Sequence, residues 1–338
     1  MRKFCLFVLI FFCADLVSAQ NTQLKINGYL SVDYLDSKNE SVYPYGTFQN
    51  PKLGLIFSGF LAAKVNYVAE VVFQQDVQVE LNQTLLGFSF SNTFNFNLGL
   101  YLVPFGKYNE NSRAHETFLI EPPMNVKYFY PAMWRDIGVQ VSGTIAGLLY
   151  SAYVGNGLRE NDWLNEGQQF KDSNRDKGFG GRVAWNVDQK FEVGYSYYRG
   201  KYDENNSRNL VLQCLDVSFI SRNYQLIGEY TWADNENPAD YADGSGKGYF
   251  ALLTFNIQGL WPVVSYQHYE YEDPFHGVGF LSPVLPGLGI SEDRERWALG
   301  LVYNLSQMAF FKLEYQFNRE KGVEKKNDML LLQVAVGF

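Results

Sequence analysis

Along most of this chain apolar and polar residues take turns. Phe311, Leu313, Tyr315 and Phe317 alternate with Lys312, Glu314, Gln316 and Asn318. Phe191, Val193, Tyr195 and Tyr197 alternate with Glu192, Gly194 and Ser196, and Leu24, Ile26, Leu30 and Val32 with Lys25, Asn27, Ser31 and Asp33. The last stretch, Asn327–Phe338, sets Leu330, Leu332, Val334, Val336 and Phe338 against Leu331, Gln333, Ala335 and Gly337. A period of two is the mark of a strand with two unlike faces. It predicts strands over Leu24–Tyr34, Lys52–Ala63, Tyr67–Asp76, Glu80–Ser91, Asn95–Gly106, Arg135–Ala146, Gly147–Asn156 and Gly178–Val187. Further strands follow over Lys190–Tyr202, Asn209–Ser221, Tyr224–Asp234, on both sides of Gln258–Gly259, and over Arg294–Asn304, Ala309–Arg319 and the terminal stretch, about 16 in all.

The connections alternate too. Tight turns at Lys64–Asn66, Asn92–Phe94, Asp188–Gln189, Arg222–Asn223 and Gln258–Gly259 interleave with longer polar segments, among them Asp36–Pro51, Lys107–Trp134, Gly157–Lys177, Asn235–Gly246 and Asp273–Asp293. A sandwich has no reason for this order, and a propeller would show a blade repeat. The faces exclude a soluble core. Packing Lys312 and Glu314 into one would cost several kcal/mol per uncompensated ion. Turning the other row to water would expose a very large apolar patch. Lipid outside and water inside satisfies both rows. The expected fold is therefore all-β, a transmembrane antiparallel β-barrel with short periplasmic turns and longer extracellular loops. Trp232, Trp261, Tyr303 and Phe338, near strand ends, suit its interfacial girdles.

Met1–Lys3 is basic, Phe4–Cys13 is apolar, and Val17–Ser18–Ala19 fits a cleavage site, so residues 1–19 read as a signal peptide and 20–338 as one barrel domain. Phe11 and Phe12 before Cys13 do not fit a lipoprotein signal. Cys214 is then the one mature cysteine, which excludes an intramolecular disulfide and a thiolate metal cluster. Losing Arg2, Lys3 and Asp15 takes the net charge from −8 to −9, which speaks against nucleic acid as a partner. Aromatics make up 17% of the chain and charged residues only 19%.

Two segments carry a resemblance. GLYLVPFGKYNE (Gly99–Glu110) and WRDIGVQVSG (Trp134–Gly143) resemble the corresponding region of the phosphate-selective porin O and P family, and GFGGRVAW (Gly178–Trp185) is a weaker third match. The resemblance implies a homotrimer of sixteen-stranded barrels set in outer-membrane lipid of a Gram-negative-type bacterium. It also implies a third outer loop folded inward as a constriction. Lys107–Trp134, the third outer connection, is the expected constriction loop. The terminal Phe338 resembles the aromatic that the barrel-assembly machinery reads in outer-membrane barrels.

The constriction loop offers Lys107, Arg113 and Lys127 against Glu110, Glu116 and Glu121, with His115 neutral. The expected lumen face sets Lys25, Arg182, Arg294, Arg296 and Lys312 against Asp33, Glu70, Glu192, Glu229 and Glu314. The family's phosphate members line the lumen with arginines and lysines, and this balanced set departs from that. Pores select by rings of charge, so the expectation is passive diffusion of small hydrophilic solutes or ions, non-selective or weakly cation-selective. A phosphate- or anion-selective pore is the alternative. Asp136 points inward by the Ile137, Val139, Val141 row and Arg135 falls at the outer rim, as either a loop anchor or a permeation group. Tyr101, Tyr128 and Tyr130 suit packing better than sugar stacking.

A barrel enzyme is the rival class, and a non-conducting structural barrel a third. His115, His268 and His276 sit in no catalytic motif, and there is no HExxH, GxSxG or phosphate-cradling glycine loop. No cofactor and no metal site is expected, beyond loose divalent-cation binding by acidic loops such as Asp234–Asp243.

Overall fold

The computed structural model describes residues 23–338 except 39–42, 44, 76–77, 162–163, 240–241, 274–292 and 323. The expected signal peptide, His276 and most of the Asp273–Asp293 connection lie outside the described residues.

The chain forms β1 (Gln23–Ser37), β2 (Thr47–Ala62), β3 (Val65–Phe73), β4 (Val79–Ser91) and β5 (Phe94–Leu102). Then come β6 (Arg135–Ile145), β7 (Leu148–Gly155), β8 (Gly178–Val187), β9 (Phe191–Lys201), β10 (Asn209–Ile220) and β11 (Tyr224–Asn235). The set ends with β12 (Gly244–Phe255), β13 (Leu260–Asp273), β14 (Asp293–Asn304), β15 (Ala309–Glu320) and β16 (Met329–Gly337). Each strand pairs antiparallel with its neighbours in sequence, and β1 pairs with β16, closing a 16-stranded barrel without edges. Short turns sit at one end and longer loops at the other. The tight turns use left-handed pairs such as Ala146–Gly147, Asp188–Gln189 and Gln258–Gly259, whose positive φ values match the twist of the flanking strands.

Alternation decides the faces. On β16 Leu331 and Ala335 are fully buried, while the outward row ends on an exposed Phe338. On β15 Lys312, Glu314 and Gln316 are buried and Phe311 and Phe317 exposed. The buried row faces the barrel interior and the exposed row the lipid.

Three local readings are corrected. β2 begins at Thr47, inside the segment read as a loop, because Asn50 takes a positive φ and the register with β1 slips between Ser31 and Asp33. Pro51 is tolerated at such an irregularity. β5 stops at Leu102 rather than Gly106, because Val103–Gly106 turns into the lumen. Trp261 is no girdle residue. It lies on the inward row, 8% exposed, with its ring 5.4 Å from that of Phe118.

Candidate functional site

The interior is occupied by the 103–134 segment between β5 and β6. It carries a 3₁₀ turn (Tyr108–Asn111) and one short helix, α1 (Met124–Phe129). Both are helical exceptions to the all-β reading.

Its neck is tied by one side chain. The Asn109 amide donates to the carbonyls of Val103 (2.8 Å) and Trp134 (3.1 Å), and its oxygen accepts from the Trp134 N–H at 2.6 Å. A second tie is Glu229 on β11. One carboxylate oxygen accepts from the Tyr108 N–H and the other from the Tyr130 hydroxyl at 2.9 Å. Gly106 makes this approach possible: its φ is +64°, and a Cβ there would lie 2.9 Å from the Glu229 carboxylate. Its N–H donates to Ser196 Oγ at 3.0 Å.

The underside of the segment is apolar. Phe105, Phe129, Tyr130 and Trp134 are fully buried against Tyr198, Leu212, Cys214 and Tyr269 of the wall. The Trp134 ring meets that of Tyr198 edge-on at 4.9 Å. Met124 N–H donates to Gln267, and the Asn125 amide to Thr231. Tyr101 and Tyr130 belong to this packed layer and do not face solute, and Tyr128 lies against Tyr269 at 4.3 Å between ring centres. The segment is thus glued to the β8–β13 side of the barrel.

Its charged edge crosses to other strands. Arg113 grips Glu70 of β3 with two bonds, Nη2–Oε2 at 2.6 Å and Nε–Oε1 at 3.1 Å, and also meets Glu116. Lys107 bridges Glu110 and Glu192, at 3.2 and 3.0 Å. Arg182 joins Glu192, Asp216 and, at 3.5 Å, Glu110. Glu121 sits between Lys127 (3.4 Å) and Arg296 (3.1 Å). Lys312 donates to the Ala114 carbonyl at 2.6 Å, and Glu314 accepts the Ile120 N–H at 2.8 Å. His115 lies over Tyr29, ring centres 5.3 Å apart, with Glu116 at 3.9 Å.

Burial would raise the Glu121 carboxyl, but Lys127 and Arg296 outweigh it and hold it at about 2. Burial moves His115 the other way, below its ordinary value, so the imidazole is neutral near pH 7. Burial opposes the charge on Arg113 as well, and the Glu70 pair more than restores it.

The remaining expected residues are placed as follows. Asp33 accepts from Gln333 and Asn50. Arg294 lies 3.6 Å from Glu320. Lys25 is exposed near the start of β1, on the inward row with Asn27 and Tyr29. Asp136 is 1% exposed and binds three backbone N–H groups, of Ile137, Asn156 and Gly157, so it anchors the β7–β8 loop. Arg135 is not at an open rim. It is 8% exposed and reaches the Leu81 carbonyl, Asn82 and Glu80.

Water-accessible space remains on the β1–β4 side. An outer cavity of about 410 Å³ is lined by Lys52, Arg113, Lys127 and Arg135 and by Asp33, Glu80 and Glu121. Towards the short-turn end lie an open space of about 660 Å³ at Ser89, Asn92 and Thr144, and spaces of about 300 Å³ beside Glu110 and Arg182 and about 230 Å³ beside Lys107 and Glu116. The inward segment stands between them.

A closed barrel of this architecture has known counterparts. The model of the Gram-negative porin family matches residues 49–323. The chain belongs to the Gram-negative porin family. The resemblance read from Gly99–Glu110 and Trp134–Gly143 is thereby carried as far as an outer-membrane porin. The fold is also that of the anion-selective porin from Comamonas acidovorans, at a TM-score of 0.68 and 13% identity over 94% of this chain and 100% of that one. It is similar to a trimer form of OmpT, an outer membrane protein of Vibrio cholerae, at a TM-score of 0.66 and 11% identity, again over 94% and 100%. An uncharacterized protein of Aquifex aeolicus (strain VF5) is 20% identical over 207 residues. That match covers 55% of this chain, and the chain spans a little under half, 46%, of that relative.

Several residues of this porin's interior escaped the sequence reading. Asn109 sat inside the quoted Gly99–Glu110 motif, but nothing in its spacing says that it ties the loop shut. Asn82 and Glu80 turn inward because the β3–β4 register slips between Glu70 and Val71, which no alternation rule anticipates. Asp216 follows the inward parity of β10 and was readable from it.

Proposed function

We propose that this porin is a passive diffusion pore for small hydrophilic solutes and ions, with at most weak charge selectivity, on the cation side. The observation that carries this is pairing. Arg113, Lys107 and Lys127 of the inward loop each lie within 3.4 Å of a carboxylate. Arg135 and Arg182 on the wall are paired likewise. Selectivity for phosphate requires cations turned to the solute as a ring or ladder. Here their fields are cancelled locally, and the chain as a whole carries a net charge of −8. The anion-selective porin of the same fold does not argue otherwise, because fold leaves the sign of the lumen to its side chains. Trimerisation, insertion by the barrel-assembly machinery and a surrounding of outer-membrane lipid belong to the same reading.

The test is single-channel conductance of the refolded protein in a planar bilayer under a potassium chloride gradient. Stepwise conductance with a reversal potential near zero, or slightly cation-biased, is expected. A strongly anion-biased reversal potential would overturn the selectivity. Absence of steps from a verified folded barrel would overturn the pore and turn attention to a catalytic or structural barrel.

A further inference from the structure

One histidine, His268, lies on the outside of the barrel. His268 shares the outward row of β13 with Val264 and Tyr266, and its ring centre is 5.2 Å from that of Tyr249 on β12. Tyr249 in turn stacks on Tyr230, and Tyr266 packs on Trp297 at 4.9 Å. These rings form a belt of the kind that sits at a lipid headgroup level. His268 tops this belt, at the long-loop end.

Two carboxylates flank it. Glu270 is two residues on along the same row, and Asp293 of β14 is the direct cross-strand partner of Glu270. Like charges set opposite each other on one face destabilise a sheet unless something lies between them. Here each carboxylate divides its oxygens. Glu270 turns Oε1 to Lys247 at 2.8 Å and Oε2 to His268 Nε2 at 3.6 Å. Asp293 turns Oδ2 to Lys321 at 3.2 Å and Oδ1 to His268 Nδ1 at 3.5 Å. The lysines thus hold the outer oxygens, while the inner ones face the imidazole. Nδ1 is buried with no hydrogen-bond partner. One donor atom from each of the three side chains falls within 4.8 Å of the others.

We propose that His268, Glu270 and Asp293 form a surface site for a divalent transition-metal ion of the zinc type. One imidazole and two carboxylates are a recurrent zinc donor set, whereas calcium and magnesium prefer oxygen alone. The ion binds one imidazole nitrogen and one oxygen of each carboxylate. Closing to bonding distance needs side-chain shifts of about an ångström, with strands and lysine pairs left in place. Three protein ligands leave coordination positions open to the outside, for water or an anionic group at the membrane surface. The site is independent of conduction.

The experiment is titration of zinc ion into the full mature chain, folded in detergent, by calorimetry, with cobalt ion as a spectroscopic stand-in. One saturable site per chain is expected, together with a cobalt absorption band in the visible. Both weaken by about tenfold or more in His268→Ala and in Asp293→Asn. These variants alter the outer surface only, and heat-shifted gel mobility checks that each barrel is folded. Saturable binding unchanged in His268→Ala would overturn the assignment. No saturable binding by the parent chain would overturn it equally and leave an imidazole bridged between two carboxylates.

Discussion

The backbones of Gly28 and Phe338 exchange two hydrogen bonds, N–H to O at 2.7 and 2.8 Å, and the Phe338 ring lies where a side chain on residue 28 would be. A Cβ at Gly28 would fall 2.4 Å from the ring. The last residue of the chain is thereby seated on the first strand, across the seam that closes the barrel.

Removing Phe338 is expected to lower the yield of folded, membrane-inserted barrel severalfold. Gly28→Leu is expected to lower it as well, because a side chain there meets the Phe338 ring and the Gly54 carbonyl oxygen of β2. Heat-shifted gel mobility of outer-membrane fractions measures both. Undiminished folded yield without Phe338 would show that the seam closes without its terminal aromatic.

The Asn109 side chain joins Val103 to Trp134, reinforcing the backbone bond between them, and all three of its bonds are buried. Asn109→Leu leaves the Trp134 N–H without its partner, at about 1–3 kcal/mol for a buried group left unsatisfied, and takes from the Val103 and Trp134 carbonyls one of two donors, since each also accepts a backbone N–H. The thermal midpoint should fall and single-channel conductance should rise as the inward segment loosens. Deleting part of Lys107–Trp134 should raise conductance further. An unchanged conductance would remove the segment as the narrow point.

Glu70 is fully buried and carries both bonds from Arg113. Glu70→Ala leaves the Arg113 guanidinium with its Glu116 contact at 3.3 Å in place of the two Glu70 bonds, a loss of up to roughly 3–5 kcal/mol, the figure for a buried pair broken on one side. Loss of stability should come with a reversal potential shifted toward anions. The paired removal, Glu70→Ala with Arg113→Ala, should recover much of the stability, and a double-mutant cycle reads that coupling.

The pH response follows from Glu121. Its carboxyl is depressed from 4.5 to about 2 in the folded chain, so its ion pairs stabilise the loop fully above pH 4.5. That contribution is lost as pH falls toward 2. Conductance is expected to be level from pH 5 to 8 and to change only below pH 4.5. Noise spectra of open channels across that range are the measurement. A transition above pH 4.5 but below 6.5 would point to His115 instead, whose burial lowers its value from 6.5.

Strand order, facing and closure were legible because each strand has one face in lipid and one in a polar interior. The alternation on β15 and β16 reports this directly. The inward position of the Lys107–Trp134 loop came from a resemblance and from its length, not from any residue's chemistry. The contacts inside it could not be read. Trp261 has the composition of a girdle residue but the parity of an inward one, and only the exact start of β13 decides. Arg135 and Asp136 are adjacent and both buried, because the loop returns to the wall at Arg135 before alternation is established. Pairings such as Arg113 with Glu70, 43 residues apart, depend on barrel closure and leave no local trace.

Cys214 lies at 0% exposure beneath the inward loop, its sulfur 3.9 Å from the Glu229 carboxylate that ties the loop down. The barrel therefore carries its own silent reporter. A thiol-reactive dye added from the aqueous side meets nothing while the loop is seated, and each label taken up records a moment when it was not.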